Sequence, residues 1–325
     1  MNAVANTRST RPFVWLLRRE FWENRGGFLW APLIAGAIVA FLYTLLAVIG
    51  SIAGRNQFGG NRMIIDEGAD KMRDAIGAFG DGVLLGGIGL ACVILAFVVF
   101  FYALGSLYDD RRDRSVLFWK SLPVSDRDTV LSKLAWALLL APLLALGAGI
   151  ALGLVLWLVS ALTFTVNGIS ASTAVFTHSH PLRVIGSVLG ALPVYVLWAL
   201  PTVGWLMFCS AWARSKPFLW AVLLPILACV IVSMMGILPG IAMPYDKLWY
   251  VVAYRGLLSA VPGAWLPVTG GIQAHIETPE DVAGHLNLTT SWHVFAAWDL
   301  WIGVAVGIAF IAGAVWMRRW RELAD

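Results

Sequence analysis

Charge is what this sequence lacks most. Only 13% of its 325 residues are Asp, Glu, Lys or Arg, against roughly 25% in a water-soluble domain. Apolar types make up 59%, so water cannot be the main solvent for its surface, whereas a bilayer can. Cysteine is scarce too. Cys92, Cys209 and Cys229 are an odd set in apolar stretches, which argues against a disulfide framework and for buried free thiols. All five histidines lie outside the long apolar runs. Intramembrane serine hydrolysis needs a base beside a nucleophile at depth, and that pairing is missing. Proton-coupled carriers use carboxylates or histidines within their spans, and the runs hold almost none. No Walker A loop is present, so ATP is not bound by that route. With no zinc motif and no long basic run, nucleic acid is not an expected partner. His178 and His180 flank Ser179 without a third ligand nearby, so they read as exposed loop residues rather than a metal site. No catalytic, cofactor-binding or metal residue is expected.

Long hydrophobic runs are what is there. A spanning helix needs about 20 mostly apolar residues, because the hydrocarbon core is about 30 Å thick and each residue rises about 1.5 Å. Six stretches qualify: Phe28–Gly50, Gly82–Ser106, Leu134–Leu162, Val184–Ser210, Phe218–Leu238 and Ala296–Met317. The first five contain no charged residue or histidine, and the sixth only Asp299 near one end. The expected fold class is therefore all-α, a polytopic membrane protein of six transmembrane helices. The first run begins after Gly27 and is too long for a signal-peptide core, so it is expected to be retained as a span.

Orientation follows from Lys and Arg. The segment before the first run, the second-to-third connection, the fourth-to-fifth connection and the tail together hold 16 of the 23 basic residues. The remaining connections hold Arg55, Arg62, Lys71, Arg73, Arg183, Lys247 and Arg255. This asymmetry places both termini in the cytoplasm. The expected division is a cytoplasmic segment 1–27, a membrane domain 28–317 and a cytoplasmic tail 318–325.

Within 1–27, Arg11–Asn24 reads as an amphipathic helix on the membrane surface. Phe13, Leu16, Leu17 and Phe21 share a stripe, Trp15 and Trp22 flank it, and Arg18, Arg19 and Glu23 are left for water or headgroups. Small residues recur at four-residue spacing (Gly82 and Gly86, Gly149 and Gly153, Gly303 and Gly307), which lets helix backbones approach. Pro142, Pro193, Pro201 and Pro225 predict kinks that neighbours must satisfy by hydrogen bonds. The long connection 239–295 contains Leu248–Leu258 and Val261–Val268, too short to span, which are expected to re-enter or to lie in the interface.

The most distinctive stretch is the connection Leu107–Lys133, LYDDRRDRSVLFWKSLPVSDRDTVLSK. A charged part leads into a short apolar helix with Phe118 and Trp119. Pro123 holds Leu122 extended and ends it. Ser125 with Asp128 then resembles a capping box that launches the third span. Taken alone, the stretch is an interfacial loop with an aromatic anchor. It also resembles the cytoplasmic loop of bacterial ABC transporter permeases of the type-2 (ABC-2) family, on Leu117–Asp126 and the helix start Val130–Lys133.

That resemblance implies a bacterial inner-membrane permease subunit, an exporter, whose Leu117, Phe118, Trp119, Lys120, Ser121, Leu122, Pro123, Val124, Ser125, Asp126 and Arg127 form a coupling helix and its flank. Phe118, Trp119 and Leu122 would fill a groove of a separate ABC ATPase subunit, with Lys120, Asp126 and Arg127 at the rim. ATP and magnesium would sit in that partner, and this chain would hold no cofactor. A second permease half, identical or not, would complete the route. With no charges along the route and few polar side chains such as Thr44, Ser187, Thr202 and Ser233, the expected substrate is apolar or amphipathic. The alternative is a membrane carrier or scaffold without an ATPase partner.

Overall fold

The apolar runs form long helices in the computed structural model, which describes residues 12–58, 69–113, 124–167, 173–235, 245–269 and 288–321. Helix α1 (Pro12–Arg25) passes through a π-helical turn, Gly26–Trp30, into α2 (Ala31–Phe58). Helix α3 covers Ala69–Arg112. Helix α4 (Asp126–Ala135) continues through a second π turn, Trp136–Leu140, into α5 (Ala141–Val166). The short α6 (Ala174–Thr177) and α7 (Pro181–Gly190) precede α8 (Leu192–Trp212). A third π turn, Leu219–Leu223, opens α9 (Leu224–Met235). Then follow α10 (Tyr245–Trp249) with its π continuation Tyr250–Leu258, α11 (Leu288–Trp292) and α12 (Trp298–Arg321). No strand occurs among the described residues.

Five of these helical stretches are long and apolar enough to cross a membrane: Pro12–Gly54, Lys71–Arg112, Asp126–Val166, Leu192–Trp212 and Trp298–Trp320. The protein is thus all-α and polytopic, and two of the six expected spans differ from expectation. The expected fourth span, Val184–Ser210, breaks at Ala191 into α7 and α8. Pro193 lacks the N–H that would continue α7, and the indole of Trp292 donates to the Gly190 carbonyl at the break (3.0 Å). The expected fifth, Phe218–Leu238, is a shorter apolar helix over Leu219–Met235, with residues 236–238 outside the described part.

Each of the three early π turns is followed, two residues later, by a proline: Pro32, Pro142 and Pro225. A proline ring inside a helix removes one backbone donor and crowds the carbonyl four residues back, and a widened turn relieves both. At Pro225 the carbonyl so released is that of Ala221, and the Trp205 indole of α8 donates to it at 2.9 Å. The expected satisfaction of proline kinks by neighbouring helices is explicit here.

The closest helix pairs are α3 with α5 and α8 with α12. A Cβ on Gly153 would stand 2.5 Å from the Leu84 carbonyl oxygen, and one on Gly307 2.8 Å from the Leu200 backbone. Backbones therefore touch at both crossings, as the glycine spacing predicted. Gly86 is different: it is exposed with nothing within 4 Å, and its neighbour Gly87 meets Gly153 instead. Trp198, Val203, Leu206 and Met207 of α8 are fully buried and form the centre of the bundle. Helix α2 lies at its margin, with Phe41 and Leu46 each about two-thirds exposed (67% and 66%).

The long connection folds back into the bundle. Thr202, halfway along α8, donates its hydroxyl to the Arg255 carbonyl at 3.2 Å, and the Tyr195 hydroxyl donates to the Ala260 carbonyl at 3.2 Å. Trp265 is 3% exposed. Tyr245–Leu258 is thus a helical segment packed against α8.

Candidate functional site

Charges that the sequence assigned to a water-exposed loop and a surface helix meet in the interior at one end of the bundle. Helix α3 runs on to Arg112 rather than ending near Ser106, which carries Asp110 inward. Helix α4 begins at Asp126, which brings Lys133 to the same level. Lys133 Nζ lies 3.0 Å from Glu20 Oε1 and 3.5 Å from Asp110. Arg318 of α12 joins Asp110 and Asp126, both at 3.3 Å. Arg19 pairs with Glu23 at 2.7 Å and with Asp110 at 3.5 Å, and is only 15% exposed. Tyr102 donates its hydroxyl to Glu20 at 2.7 Å.

Two readings of α1 are corrected by this cluster. Arg19 is engaged within the protein rather than left for headgroups, while Arg18 stays exposed. The buried face of α1 carries a carboxylate, Glu20, at 0% exposure between Leu16 and Phe21. Trp136 closes the apolar side: its indole donates to the Leu17 carbonyl at 2.5 Å, and its ring stacks on Phe21 and Phe28. Buried carboxylates Glu20 and Asp110 face buried cations Lys133 and Arg318, so charge inside the cluster is balanced. Desolvating such groups is costly, and only mutual pairing with further hydrogen bonds makes it tolerable.

Helix α8 is held to the same end. Arg111 Nη2 donates to the carbonyls of Ser210 (2.6 Å) and Ala213 (2.9 Å). Thus the second half of α1, the end of α3, helix α4 and the ends of α8 and α12 gather there.

Of the coupling segment, Leu117 to Pro123 lie outside the described residues, and Val124 to Arg127 lie within them. Ser125 accepts from the Asp128 N–H at 3.0 Å and donates to the Asp128 carboxylate at 2.7 Å. The cap predicted there is formed, with the Asp128 carboxylate on the Ser125 hydroxyl rather than on its backbone N–H. Asp126 is 30% exposed and bonded to Arg318 within the chain. Beside the cluster, a cavity of about 550 Å³ is lined by Phe97, Phe101, Tyr102, Glu23, Asp109 and Lys133.

Toward the opposite end, Arg255 of the segment Tyr245–Leu258 is 7% exposed, and its guanidinium lies 3.7 Å from the centroid of the Trp198 ring. Asp299, at the first turn of α12, accepts a hydrogen bond from the Tyr250 hydroxyl. Two of the four polar side chains named for substrate hold this segment instead: Thr202 bonds Arg255, and Ser233 accepts from the Trp249 indole at 2.8 Å. No group of three metal-ligating side chains exists among the described residues.

The geometry defines an all-α polytopic membrane protein with a buried ionic cluster at one end and the helical segment Tyr245–Leu258 packed against α8 toward the other. No family model, no curated protein and no solved structure matches this chain.

Proposed function

We propose that this chain is the transmembrane subunit of an ATP-driven exporter of the type-2 ABC permease family, in the bacterial inner membrane with the ionic cluster on the cytoplasmic side. One observation supports this best: the connection bearing the LFWKSLPVSD sequence is anchored in the ionic cluster on both sides. Asp110 and Arg111 precede it and Asp126 and Lys133 follow it, and their partners lie on α1, α8 and α12. A push on that connection by a partner is therefore carried through α3 and α4 to three further helices as rigid-body motion rather than absorbed in a loose loop. Six crossings fit this reading. Helix α8 ends at the cluster and α12 begins at the far end, so Leu219–Met235 returns the chain across, from Trp212 beside Trp220 to Ser233 beside Trp249. Apolar and amphipathic compounds remain the substrate class, and a second permease half completes the route.

The test is co-purification with an ABC ATPase encoded in the adjacent reading frame, using Trp119→Ala. Truncating an interface anchor costs on the order of 2 kcal/mol or more, which is roughly a thirtyfold loss of affinity. Membrane abundance should not change. A variant that binds the ATPase normally and keeps normal turnover, or ATP hydrolysis by the chain alone, refutes the proposal.

A further inference from the structure

Arg255 lies over the Trp198 ring at 3.7 Å, and its hydrogen-bond partners are all neutral. Its guanidinium donates to the carbonyls of Trp198 (3.4 Å) and Asp299 (3.0 Å) and to the Ser259 hydroxyl (3.1 Å). These are dipoles, and they use three of the five N–H groups an arginine offers. Among the described residues no carboxylate oxygen lies within 4.0 Å of it. The one acid close by, Asp299, turns its backbone carbonyl to Arg255 and its carboxylate to Tyr250. A buried cation in that state calls for an anion.

The pocket beside it supplies room for one. A cavity of about 320 Å³ has Arg255, Asp299 and Tyr250 at its polar end, and its other walls are almost wholly apolar. Ile302, Val306 and Phe310 line it from successive turns of one face of α12. That stripe is about 12 Å long at 1.5 Å per residue. Val251, Ile302 and Val306 also lie on the outer surface, at 61%, 59% and 42% exposure, so the pocket opens toward the hydrocarbon. Gly303 floors the polar end, where any added Cβ would collide with the guanidinium.

We propose that this pocket binds one anionic phospholipid, with its phosphate oxygens on Arg255 and an acyl chain along Ile302, Val306 and Phe310. A charged phosphate meets the guanidinium fork with two parallel hydrogen bonds. A zwitterionic headgroup fits less well. Its ammonium would sit beside Arg255 while the Asp299 carboxylate is already taken by Tyr250. The site belongs to this chain alone and does not depend on an ATPase partner.

The experiment is native mass spectrometry of the full chain in detergent, titrated with phosphatidylglycerol or phosphatidylcholine. The expected result is one tightly held phosphatidylglycerol, with at least tenfold weaker binding of phosphatidylcholine. Arg255→Gln should lower phosphatidylglycerol affinity tenfold or more. Val306→Trp, which fills the mouth and leaves Arg255 in place, should do the same and decides the matter if Arg255→Gln fails to fold. Equal retention of the two lipids overturns the proposal, as does unchanged binding in Val306→Trp. Displacement of the lipid by millimolar inorganic phosphate would make this a free-anion site instead and also overturns it.

Discussion

Lys133 and Glu20 form an ion pair of 3.0 Å with side chains only 4% and 1% exposed. Lys133 sits in the last turn of α4 and Glu20 in α1, so the pair ties α1 to the helix that follows the connection 113–125. Because Lys133 also reaches Asp110, it is the cation shared by two buried carboxylates.

Removing that cation should be severe. Lys133→Met leaves Glu20 and Asp110 facing each other with less compensation, and breaking a buried pair costs about 3–5 kcal/mol. The double variant Lys133→Met with Glu20→Gln should cost clearly less than the sum of the two single changes. Thermal unfolding in detergent measures this. Additive losses would show that the two groups do not interact.

Backbone contact makes a second, local prediction. Gly153→Ala puts a Cβ against the Leu84 carbonyl oxygen and forces α3 from α5, an overpacking cost of about 1–3 kcal/mol. Gly86→Ala, four positions from another glycine in the same kind of sequence pattern, meets open space and should be neutral. Unfolding temperatures of the two variants should separate by several degrees, and equal values would refute the packing assignment.

Five long apolar helices were legible because a bilayer demands unbroken apolar length, and the helix-starting Ser125 was legible because its cap is a local bond to Asp128. The buried charges were not legible as such. Charge density marks a loop, yet Asp110 shares its helix face with buried Ala103 and Leu107, and Glu20 lies one turn from buried Leu16. That helical spacing was the available signal. It is weak, because nothing local reveals that cations from three other helices arrive at the same point. The same holds for Arg255: its sequence neighbours read as outer loop, and only the fold sets its guanidinium on Trp198 of α8. In contrast, the break at Ala191 could have been read from Gly190 and Pro193 together.

Pro225 and Trp205 make a third prediction. Trp205→Phe keeps the aromatic volume but leaves the Ala221 carbonyl without the indole donor, a loss of about 1–3 kcal/mol for a buried polar group. Pro225→Ala restores a backbone N–H that can bond that carbonyl. The double variant should therefore recover most of the stability that Trp205→Phe loses. If it unfolds as early as the single variant, the carbonyl is not what Trp205 satisfies.

The path of the chain through the membrane is the last prediction, and it decides between five crossings and six. With Cys92, Cys209 and Cys229 replaced by Ala, single cysteines can be placed at exposed Asp113, His178, Ser215 and Asp246. Asp113 follows α3 at the ionic end, and Ser215 follows α8 at the same end, where Arg111 holds Ala213. His178 lies beyond α5 at the far end. If Leu219–Met235 crosses, Asp246 must share the side of His178. If it does not, Asp246 must share the side of Ser215. On intact cells a membrane-impermeant maleimide should label positions 178 and 246, and reach positions 113 and 215 only after the cells are opened. Labelling of 246 together with 215 leaves five crossings. Labelling of 113 and 215 on intact cells, with 178 and 246 protected, keeps six crossings but inverts the protein. That outcome would place the connection bearing Trp119 outside the cell, where no ATPase could reach it, and would end the permease reading.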